Sequence, residues 1–419
     1  MASKNDKVVL ALMGAGGRGT QVVLGMQKCT PGVEVKYLCD VDTSRGGRAM
    51  EELEKQQNFK PQRITDIRNA FDDKDVDAVL ICTPEQWHAR AAIMACQAGK
   101  DVYVEKNISM TIGEGRKMIE ASKKYNRIIE CGFQNRSAPY SMSAREYIKS
   151  GKLGNIVSVK VYCMLPGDKQ WFLKPDSEVP EGLDWDQWLG PAPKVPYNVS
   201  RHKGWNDWWA YSCGLPLADC SHQLDLARMV LGDPDNPKSV FCAGDRVLFG
   251  DKREIPDNQT ITHDYGTFAM TTEVSMYGNY LAKASPEIRY GDLFPDWQML
   301  CDRIEIYGTE GLMYLGRHGA GWQVIGNDNQ IVAQEFGYFP DDAHQQDFIN
   351  SIRTRKVPNA SIDEGHKSAI LVHLANLSYR TGKKQLFFDS ATESILNSEE
   401  AKLIDKGSYR SGFELPVNI

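Results

Sequence analysis

The sequence has no long apolar run, no closely spaced pair of cysteines and no excess of basic residues. Without about 18 consecutive apolar residues, no segment is predicted to cross a membrane as a helix. None of the ten cysteines is followed by another at the C-x-x-C spacing of zinc and thioredoxin-like sites. The formal net charge of −6 argues against non-specific binding to nucleic acid or to an anionic membrane.

The composition that remains is that of an ordinary globular protein. The chain has 419 residues, of which 42% are hydrophobic and 25% charged, enough for about two or three domains with large cores. Several cysteines, among them Cys82, Cys131 and Cys163, lie in apolar runs and are predicted to be reduced core residues. The apolar stretch near the N-terminus runs directly into glycines, so it predicts a first β-strand rather than a signal peptide. We therefore expect a cytoplasmic protein.

The first 135 residues or so alternate short β-rich runs with segments of helical period. Apolar runs such as VVLALMG and VDAVLIC are typical of parallel strands that are covered on both faces. Segments 43–57 and 84–98 have the length and period of helices. Residues that favour helix ends flank the second segment, namely Thr83, Pro84, Gln86 and Gly99. This alternation predicts a doubly wound parallel sheet.

The pattern changes after about residue 150. Runs such as NIVSVKVYCM, GTFAMTTEVSM and GLMYLGR are β-rich and lack regular helices between them, which predicts a second domain with a more antiparallel sheet. Two helices are predicted near the end, at 341–354 and 362–381. A long irregular stretch at 165–212 is predicted to be functional because of its length and its tryptophans, Trp171, Trp185, Trp188, Trp205, Trp208 and Trp209.

A glycine cluster in the pattern G-x-G-x-x-G follows the first predicted strand. Its members are Gly14, Gly16 and Gly19, with Gly17 and Arg18 between them. Such glycines permit a tight turn, a close approach of pyrophosphate to backbone, and close packing of helix on strand. Asp40 ends the second strand about 20 residues later, where a carboxylate accepts hydrogen bonds from a ribose and repels a 2′-phosphate. The pattern predicts NAD in preference to NADP, with Arg18 and Arg45 as the candidate partners of a 2′-phosphate.

Further motifs resemble those of the Gfo/Idh/MocA oxidoreductases, and in particular of a bacterial carbohydrate-active branch. The matching stretches are Thr83-Pro84-x-x-x-His88, Ala98-Gly99-Lys100, Glu105-Lys106-Asn107, Trp188-Leu-Gly-Pro-Ala-Pro193, His222-Gln-Leu-Asp225-Leu-Ala-Arg228, Tyr307-Gly-Thr-Glu-Gly311 and Gly365-His366-Lys-Ser-Ala369. The resemblance implies a Rossmann domain over 1–135 and, over 136–419, an α/β domain with a large open mixed or antiparallel sheet. It also implies that the C-terminal helices pack back toward the Rossmann domain, and that homodimers or homotetramers form through the sheet.

The resemblance further implies the catalytic residues. The lysine of the family's E-K-P motif falls on Lys106, and the active-site histidine falls on His222. Asn107 replaces the family's proline, and Ala218 stands where many relatives carry an acid four residues before the histidine. Asp219, three residues before His222, is the candidate replacement because positions three and four apart share one face of a helix.

Other residues are expected to bind cofactor or substrate. Besides the glycines, Asp40 and Lys106, the expected cofactor contacts are Thr83, Pro84, His88, Glu105 and Gln134. The expected substrate contacts are Asn135, Arg136, Arg201, His202, Trp208 and Trp209, with Trp205 as a further stacking surface. No metal is expected, because hydride transfer needs none where a lysine and a histidine are available.

The sequence therefore predicts an NAD-dependent oxidoreductase that acts on a hydroxyl of a small sugar or glycoside, and the resemblance implies C3 oxidation to a 3-keto glycoside as a candidate reaction. Either Lys106 or His222 can be assigned the proton transfer. One alternative is a glycosidase or lyase that uses NAD catalytically, through oxidation, elimination and reduction. A second alternative is a protein that binds sugar and NAD without turnover.

Overall fold

The N-terminal part of the chain folds around six parallel strands. The computed structural model describes residues 7–165, 167, 173–248 and 253–416. The strands are β1 (Val8–Met13), β2 (Val33–Cys39), β3 (Gln62–Ile64), β4 (Ala78–Ile81), β5 (Asp101–Val104) and β6 (Ile129–Cys131). Their order is β3-β2-β1-β4-β5-β6, and every neighbouring pair is parallel. The predicted doubly wound sheet is confirmed, and its strand order reverses between β1 and β4.

Helices cover this sheet, and their ends differ in part from the prediction. They are α1 (Gly17–Cys29), α2 (Gly47–Gln57), α3 (Arg68–Asp72), α4 (His88–Gln97) and α5 (Ile112–Tyr125), with a 3₁₀ turn at Glu85–Trp87. Gly99 ends the predicted helix with a left-handed φ of 76°, as expected. The predicted helix start at Thr83, Pro84 and Gln86 is wrong. Pro84 remains extended with ψ 154°, and the Gln86 amide donates to the Trp188 carbonyl instead.

A second sheet of ten strands follows. The strands are β7 (Ile156–Met164), β8 (Ser239–Asp245), β9 (Asn258–Asp264), β10 (Ala269–Ser275), β11 (Arg303–Gly308), β12 (Gly311–Gly316), β13 (Trp322–Gly326), β14 (Ile331–Glu335), β15 (Leu386–Asp389) and β16 (Ser394–Ile395). Their order is β14-β13-β12-β11-β7-β10-β9-β8-β15-β16. Strands β7 and β10 pair in parallel and the other pairs are antiparallel, which confirms the predicted mixed sheet.

The remaining helices include the two predicted near the end of the chain. They are α6 (Pro139–Lys149), α7 (Trp185–Leu189), α8 (Val199–Lys203), α9 (Leu217–Val230), α10 (Pro286–Arg289), α11 (Asp341–Thr354), α12 (Ile362–Arg380) and α13 (Glu399–Asp405), with 3₁₀ turns at Gln134–Ser137, Trp205–Asp207 and Trp297–Met299. All residues of helix α9 from Cys220 to Val230 are buried. The helix lies between β7 and α12, so both of its faces are covered.

The C-terminal helices contact both sheets. Phe348 and Ile349 of α11 belong to one apolar cluster with Val22, Val23 and Met26 of α1. Just before α12, the Ala360 carbonyl accepts a hydrogen bond from the Cys131 N–H of β6 at 2.8 Å. All ten cysteines lie in the described residues and are free, and all but Cys29 and Cys82 are buried. No helix within the described ranges is long and apolar enough to span a bilayer.

The described part of the tryptophan-rich segment forms a small aromatic core of its own. Trp185 stacks on Trp188 with ring centroids 4.6 Å apart, and Tyr197, Trp208 and Tyr211 complete the cluster. The segment joins the end of β2, because the Asp184 N–H donates to the Val41 carbonyl at 2.9 Å. Trp171 lies outside the described residues.

Candidate active site

A cavity of about 770 Å³ opens beside the carboxyl ends of β1, β2 and β4. Ligands of open α/β sheets bind where the strand order reverses, which is the position of this cavity. The predicted cofactor residues on its wall are Gly14, Gly16, Gly17, Arg18, Asp40, Thr83 and Pro84. The opposite wall comes from the tryptophan-rich segment, through Trp188, His202, Lys203 and Trp205.

The glycines create both the tight turn and the open side of this cavity. Gly14 has a φ of 93°, and a Cβ there would lie 2.7 Å from the Cys82 carbonyl oxygen. A Cβ on Gly19 would lie 1.9 Å from the Gly14 oxygen, so only glycine lets α1 approach β1 this closely. Around Gly16 and Gly17 there is open space, which leaves the backbone at the start of α1 free for a pyrophosphate. A dinucleotide therefore fits this turn.

Asp40 is held rigidly at the end of β2. Its Oδ2 accepts a hydrogen bond from the Ala15 N–H at 2.8 Å, and its Oδ1 accepts one from the Asp42 N–H at 2.9 Å. Burial raises the pKa of Asp40, although these two N–H groups oppose the shift. The two candidate 2′-phosphate partners already have carboxylate partners. Arg45 pairs with Asp42 at 3.3 Å, and Arg18 donates to Glu105 at 2.8 Å.

Glu105 and His88 hold neighbouring segments of the site in place through hydrogen bonds. Glu105 also accepts a hydrogen bond from the Tyr103 hydroxyl at 3.2 Å, and Gln134 donates to that hydroxyl at 3.4 Å. Burial would raise the pKa of Glu105, but the Arg18 charge holds it below its usual value. The His88 ring bridges two backbone carbonyls, Asn107 O at 2.6 Å and Thr83 O at 2.8 Å. It thereby ties the end of β4 to the residue after Lys106.

Lys106 follows β5 and meets the first turn of α9. Its Nζ donates to the Ala218 carbonyl at 3.1 Å and lies 3.6 Å from Asp219 Oδ1. Burial alone would raise the pKa of Asp219, but the positive charges of Lys106 and Arg317 hold it below its usual value. The geometry thus pairs an ionised carboxylate with the lysine. The bond between Lys106 and Asn107 is cis, and the buried Asn107 side-chain amide has no hydrogen-bond partner among the described residues.

His222 lies three residues after Asp219 on the same face of α9. The ring is 5% exposed and stands edge-on to Phe133 at 6.1 Å, and its Nδ1 has no partner within the described part of the chain. Burial, together with the charges of Arg317 and Lys106, lowers the pKa of His222 well below 6.5. The ring is therefore neutral at pH 7 and able to accept a proton.

The structure distributes the predicted substrate residues over several places. Asn135 Nδ2 donates to the Tyr140 hydroxyl at 2.8 Å and to the Arg317 carbonyl at 2.9 Å. Arg136 lies in a buried ion network with Asp225 and Asp233, each within 2.9 Å, and is not brought together with Lys106. Asn135 thus contacts the turn that contains Arg317, whereas Arg136 links α9 to the chain before α6.

The other predicted substrate residues belong to the tryptophan-rich segment. His202 lies on the cofactor cavity, where burial lowers its pKa to about 4. The Arg201 guanidinium lies 3.8 Å from the Trp208 ring centre. Trp209 lines a different cavity of about 470 Å³ together with Arg380. Trp209 and Arg380 also line a further, open cavity, so the segment contributes to more than the cofactor cavity.

Sequence reasoning missed Arg317, His318 and Asp302. Arg317 and His318 form the turn between β12 and β13, and His318 Nδ1 bonds with Asp302 Oδ2. Arg317 stands first among the charges that lower the pKa of His222, and both residues act on Asp219. The sequence did contain a signal for these two residues. An Arg-His pair directly follows a β-rich run and precedes the glycine-rich turn Gly319-Ala-Gly321. Within the described residues, no group of three or more His, Cys, Asp or Glu side chains could hold a metal ion.

Comparison with known families agrees with this geometry. A profile described as "Oxidoreductase family, NAD-binding Rossmann fold" matches residues 8–133. A second, "Oxidoreductase family, C-terminal alpha/beta domain", matches residues 145–250 and 307–415. The chain belongs to the Gfo/Idh/MocA oxidoreductase family. The resemblance inferred from its motifs is confirmed over most of its length.

Individual relatives match over shorter stretches. The inositol 2-dehydrogenase of Salmonella typhimurium is 30% identical over 149 residues, which is 35% of this chain and 43% of the relative. The α-N-acetylgalactosaminidase of Shewanella oneidensis is 33% identical over 129 residues, 30% of this chain and 28% of the relative. The chain thus spans less than half the length of these two relatives.

Solved structures share the fold over nearly the whole chain. The WlbA dehydrogenase of Bordetella pertussis, solved in complex with NADH and UDP-GlcNAcA, has a TM-score of 0.64 and 19% identity. The match covers 91% of this chain and 98% of that one. At this identity the likeness establishes the fold alone.

Proposed function

We propose that this protein is an NAD-dependent oxidoreductase that oxidises a hydroxyl of a sugar or glycoside, at C3, to a ketone. The observation that carries the proposal is the group formed by Lys106, Asp219 and His222. None of the three lines the cavity that fits a dinucleotide, but Glu105, the neighbour of Lys106, bonds Arg18 in the cavity wall. The WlbA dehydrogenase, solved with NADH and UDP-GlcNAcA, supports the substrate class.

Each of the three side chains has a distinct task in this proposal. His222, neutral and without a partner at Nδ1, takes the proton of the hydroxyl that reacts. Lys106 donates to the same oxygen and stabilises the negative charge that develops on it. Asp219 orients Lys106 and keeps its charge compensated. When bound, NAD would supply the hydride acceptor, nicotinamide C4, for the carbon that carries this hydroxyl.

We also propose NAD rather than NADP. Asp40 places a carboxylate at the end of β2, and both nearby arginines, Arg18 and Arg45, already have carboxylate partners. A 2′-phosphate would be repelled by Asp40, and both of these arginines are already paired. Titration with NAD and NADP should give at least about tenfold tighter binding of NAD, the value of about one charge-assisted hydrogen bond. In Asp40→Ala this preference should shrink, and equal binding of both dinucleotides by the wild-type protein would refute the proposal.

A panel of sugars and methyl glycosides, with and without added NAD, tests the activity. We expect NADH to accumulate and product NMR to show a ketone. Lys106→Met should lower kcat by about 10²–10³-fold while NAD binding is retained. The matched control is Lys36→Met, because Lys36 pairs with Asp73 on the surface of the same domain. Protein that binds NAD but turns over no sugar would instead be a sugar- or NAD-binding protein without turnover.

A glycosidase is the second candidate, and the similarity to the α-N-acetylgalactosaminidase favours it. Oxidation at C3 acidifies the C2 proton, and elimination then releases the aglycone from C1 and leaves a C1–C2 double bond. Water adds to this bond, and reduction of C3 returns the electrons. In this case the aglycone is released without net formation of NADH. Assays with aryl glycosides that follow aglycone and NADH in parallel separate the two reactions.

A further inference from the structure

Arg317 occupies a rigid turn on the side of the site that faces His222 and Asp219. The turn between β12 and β13 passes through three left-handed residues, Gly319, Ala320 and Gly321, with φ of 82°, 66° and 66°. A Cβ on Gly319 would lie 2.6 Å from the Arg289 carbonyl oxygen, so the turn packs directly against that backbone. Asn135 holds the Arg317 carbonyl at 2.9 Å. The position of Arg317 is therefore fixed by its surroundings.

Two nitrogens of the Arg317 guanidinium are buried without acceptors among the described residues. The residue is 5% exposed, and its Nε and Nη1 have no hydrogen-bond partner among the described residues. Buried guanidinium N–H groups are costly to leave unpaired, so such groups normally have acceptors. The neighbouring carboxylates already serve other groups, since Asp219 pairs with Lys106 and Asp302 bonds with His318.

A second arginine, the half-buried Arg289, lies close by. Arg289 Nε is also buried without an acceptor within the described ranges. The two guanidinium groups share the ring of Phe339, Arg289 at 4.1 Å and Arg317 at 5.2 Å from its centre. No ion pair joins either arginine to a described carboxylate. This side of the site therefore carries an excess of positive charge and unused donors.

We propose that the substrate carries an anionic oxygen group, a carboxylate or a phosphate, and that Arg317, assisted by Arg289, binds it. The inference rests on the proposed function and specifies its substrate as a sugar acid or a sugar phosphate. A planar guanidinium donates two parallel hydrogen bonds to such a group, which supplies the acceptors that the buried nitrogens lack.

The bound anion also affects the base. The Arg317 charge helps to keep the His222 ring neutral in the free protein. An anion on Arg317 compensates that charge, so His222 becomes a stronger base once the substrate is bound. Because kcat/KM reports the free enzyme and kcat the complex, the acid limb of kcat should lie at higher pH than that of kcat/KM.

Matched pairs of substrates test the inference on the NAD-loaded protein. The probes are methyl glucosides, galactosides and N-acetylglucosaminides, each compared with its uronic acid and its 6-phosphate. For one anionic series we expect binding at least about tenfold tighter than for the neutral sugar, as for a charge-assisted bidentate contact. The uronic acids and the phosphates separate the two sources of the anion.

Arg317→Gln should abolish this preference, and Arg317→Lys should restore part of it. Arg289→Gln provides a second variant with a smaller loss, and NAD titration checks that each variant is folded. Equal binding of neutral and anionic probes by the wild type would overturn the inference, and so would a failure to bind any anionic probe. It would also be overturned if Arg317→Gln weakened the binding of neutral and anionic probes equally. Failure of the proposed function looks different, because no sugar of any charge would then yield ketone or cleavage.

Discussion

The charge state of His222 depends on residues that are far from it in sequence. Burial and the neighbouring cations favour the neutral ring. One of these cations, Arg317, lies in a hairpin turn 95 residues further along the chain. The base and the groups that tune it thus come from different elements. Lys106 likewise depends on Asp219, which belongs to the other sheet's helix layer.

This environment predicts the pH dependence. Because the pKa of His222 is lowered, its deprotonated form persists as the pH falls, and the acid limb of kcat/KM should lie well below pH 6.5. The measurement is kcat/KM for a substrate found in the panel, from about pH 5 to 8. His222→Gln should remove the limb and lower kcat about 10²–10⁴-fold. A limb at or above pH 6.5 would contradict the assignment of His222 as base.

At the scale of elements, the contact of α1 with β1 depends on one missing side chain. A Cβ on Gly19 would meet the Gly14 carbonyl oxygen, whereas one on Gly17 would meet nothing within 4 Å. Gly19→Ala should therefore lower the free energy of unfolding by about 1–3 kcal/mol through overpacking. Gly17→Ala, the matched control, should change it by about 0.5 kcal/mol or less. Urea unfolding without NAD measures both, and equal stability of the two variants would refute the steric argument.

At the scale of the whole molecule, α11 joins the two halves. Phe348 is fully buried and packs against Tyr103 of β5, with ring centroids 5.8 Å apart. Phe348→Ala should cost about 3–5 kcal/mol. Phe387→Ala, at a side chain that is 46% exposed, should cost about 1 kcal/mol or less. Unfolding is monitored by two signals, the release of NAD and circular dichroism, and both transitions should shift together in Phe348→Ala. If neither transition shifts, this role of α11 is contradicted.

The outer face of the ten-stranded sheet is the surface through which we propose that the protein forms homodimers or homotetramers. On β7, Val159 and Val161 are buried toward α9, so Lys160 and Tyr162 point to the opposite face. The double variant Lys160→Glu, Tyr162→Glu should convert the oligomer to a monomer, because like charges would then meet across the interface. Light scattering after gel filtration gives the mass. A monomeric wild-type protein at micromolar concentration would refute the proposal.

The sequence by itself determined the elements whose signals are local. The glycine turn, Asp40, the parallel strands and the helices α11 and α12 follow from nearest-neighbour preferences and from periodicity, which need no distant partner. Helix α9 could not be recognised as fully buried, because its second face is covered by α12, a helix more than a hundred residues further along the chain.

Only the tertiary structure decided which charges surround the candidate base and which arginine lacks a partner. Arg136 and Arg317 are both single arginines at the ends of elements, and the sequence favoured the first as a substrate residue. The fold gives Arg136 two carboxylates, the buried Asp225 and the partly exposed Asp233, and pairs Arg317 with none in the described part of the chain. Electrostatic energy depends on distances between side chains, and these distances are set by the packing of the two sheets and not by spacing along the chain.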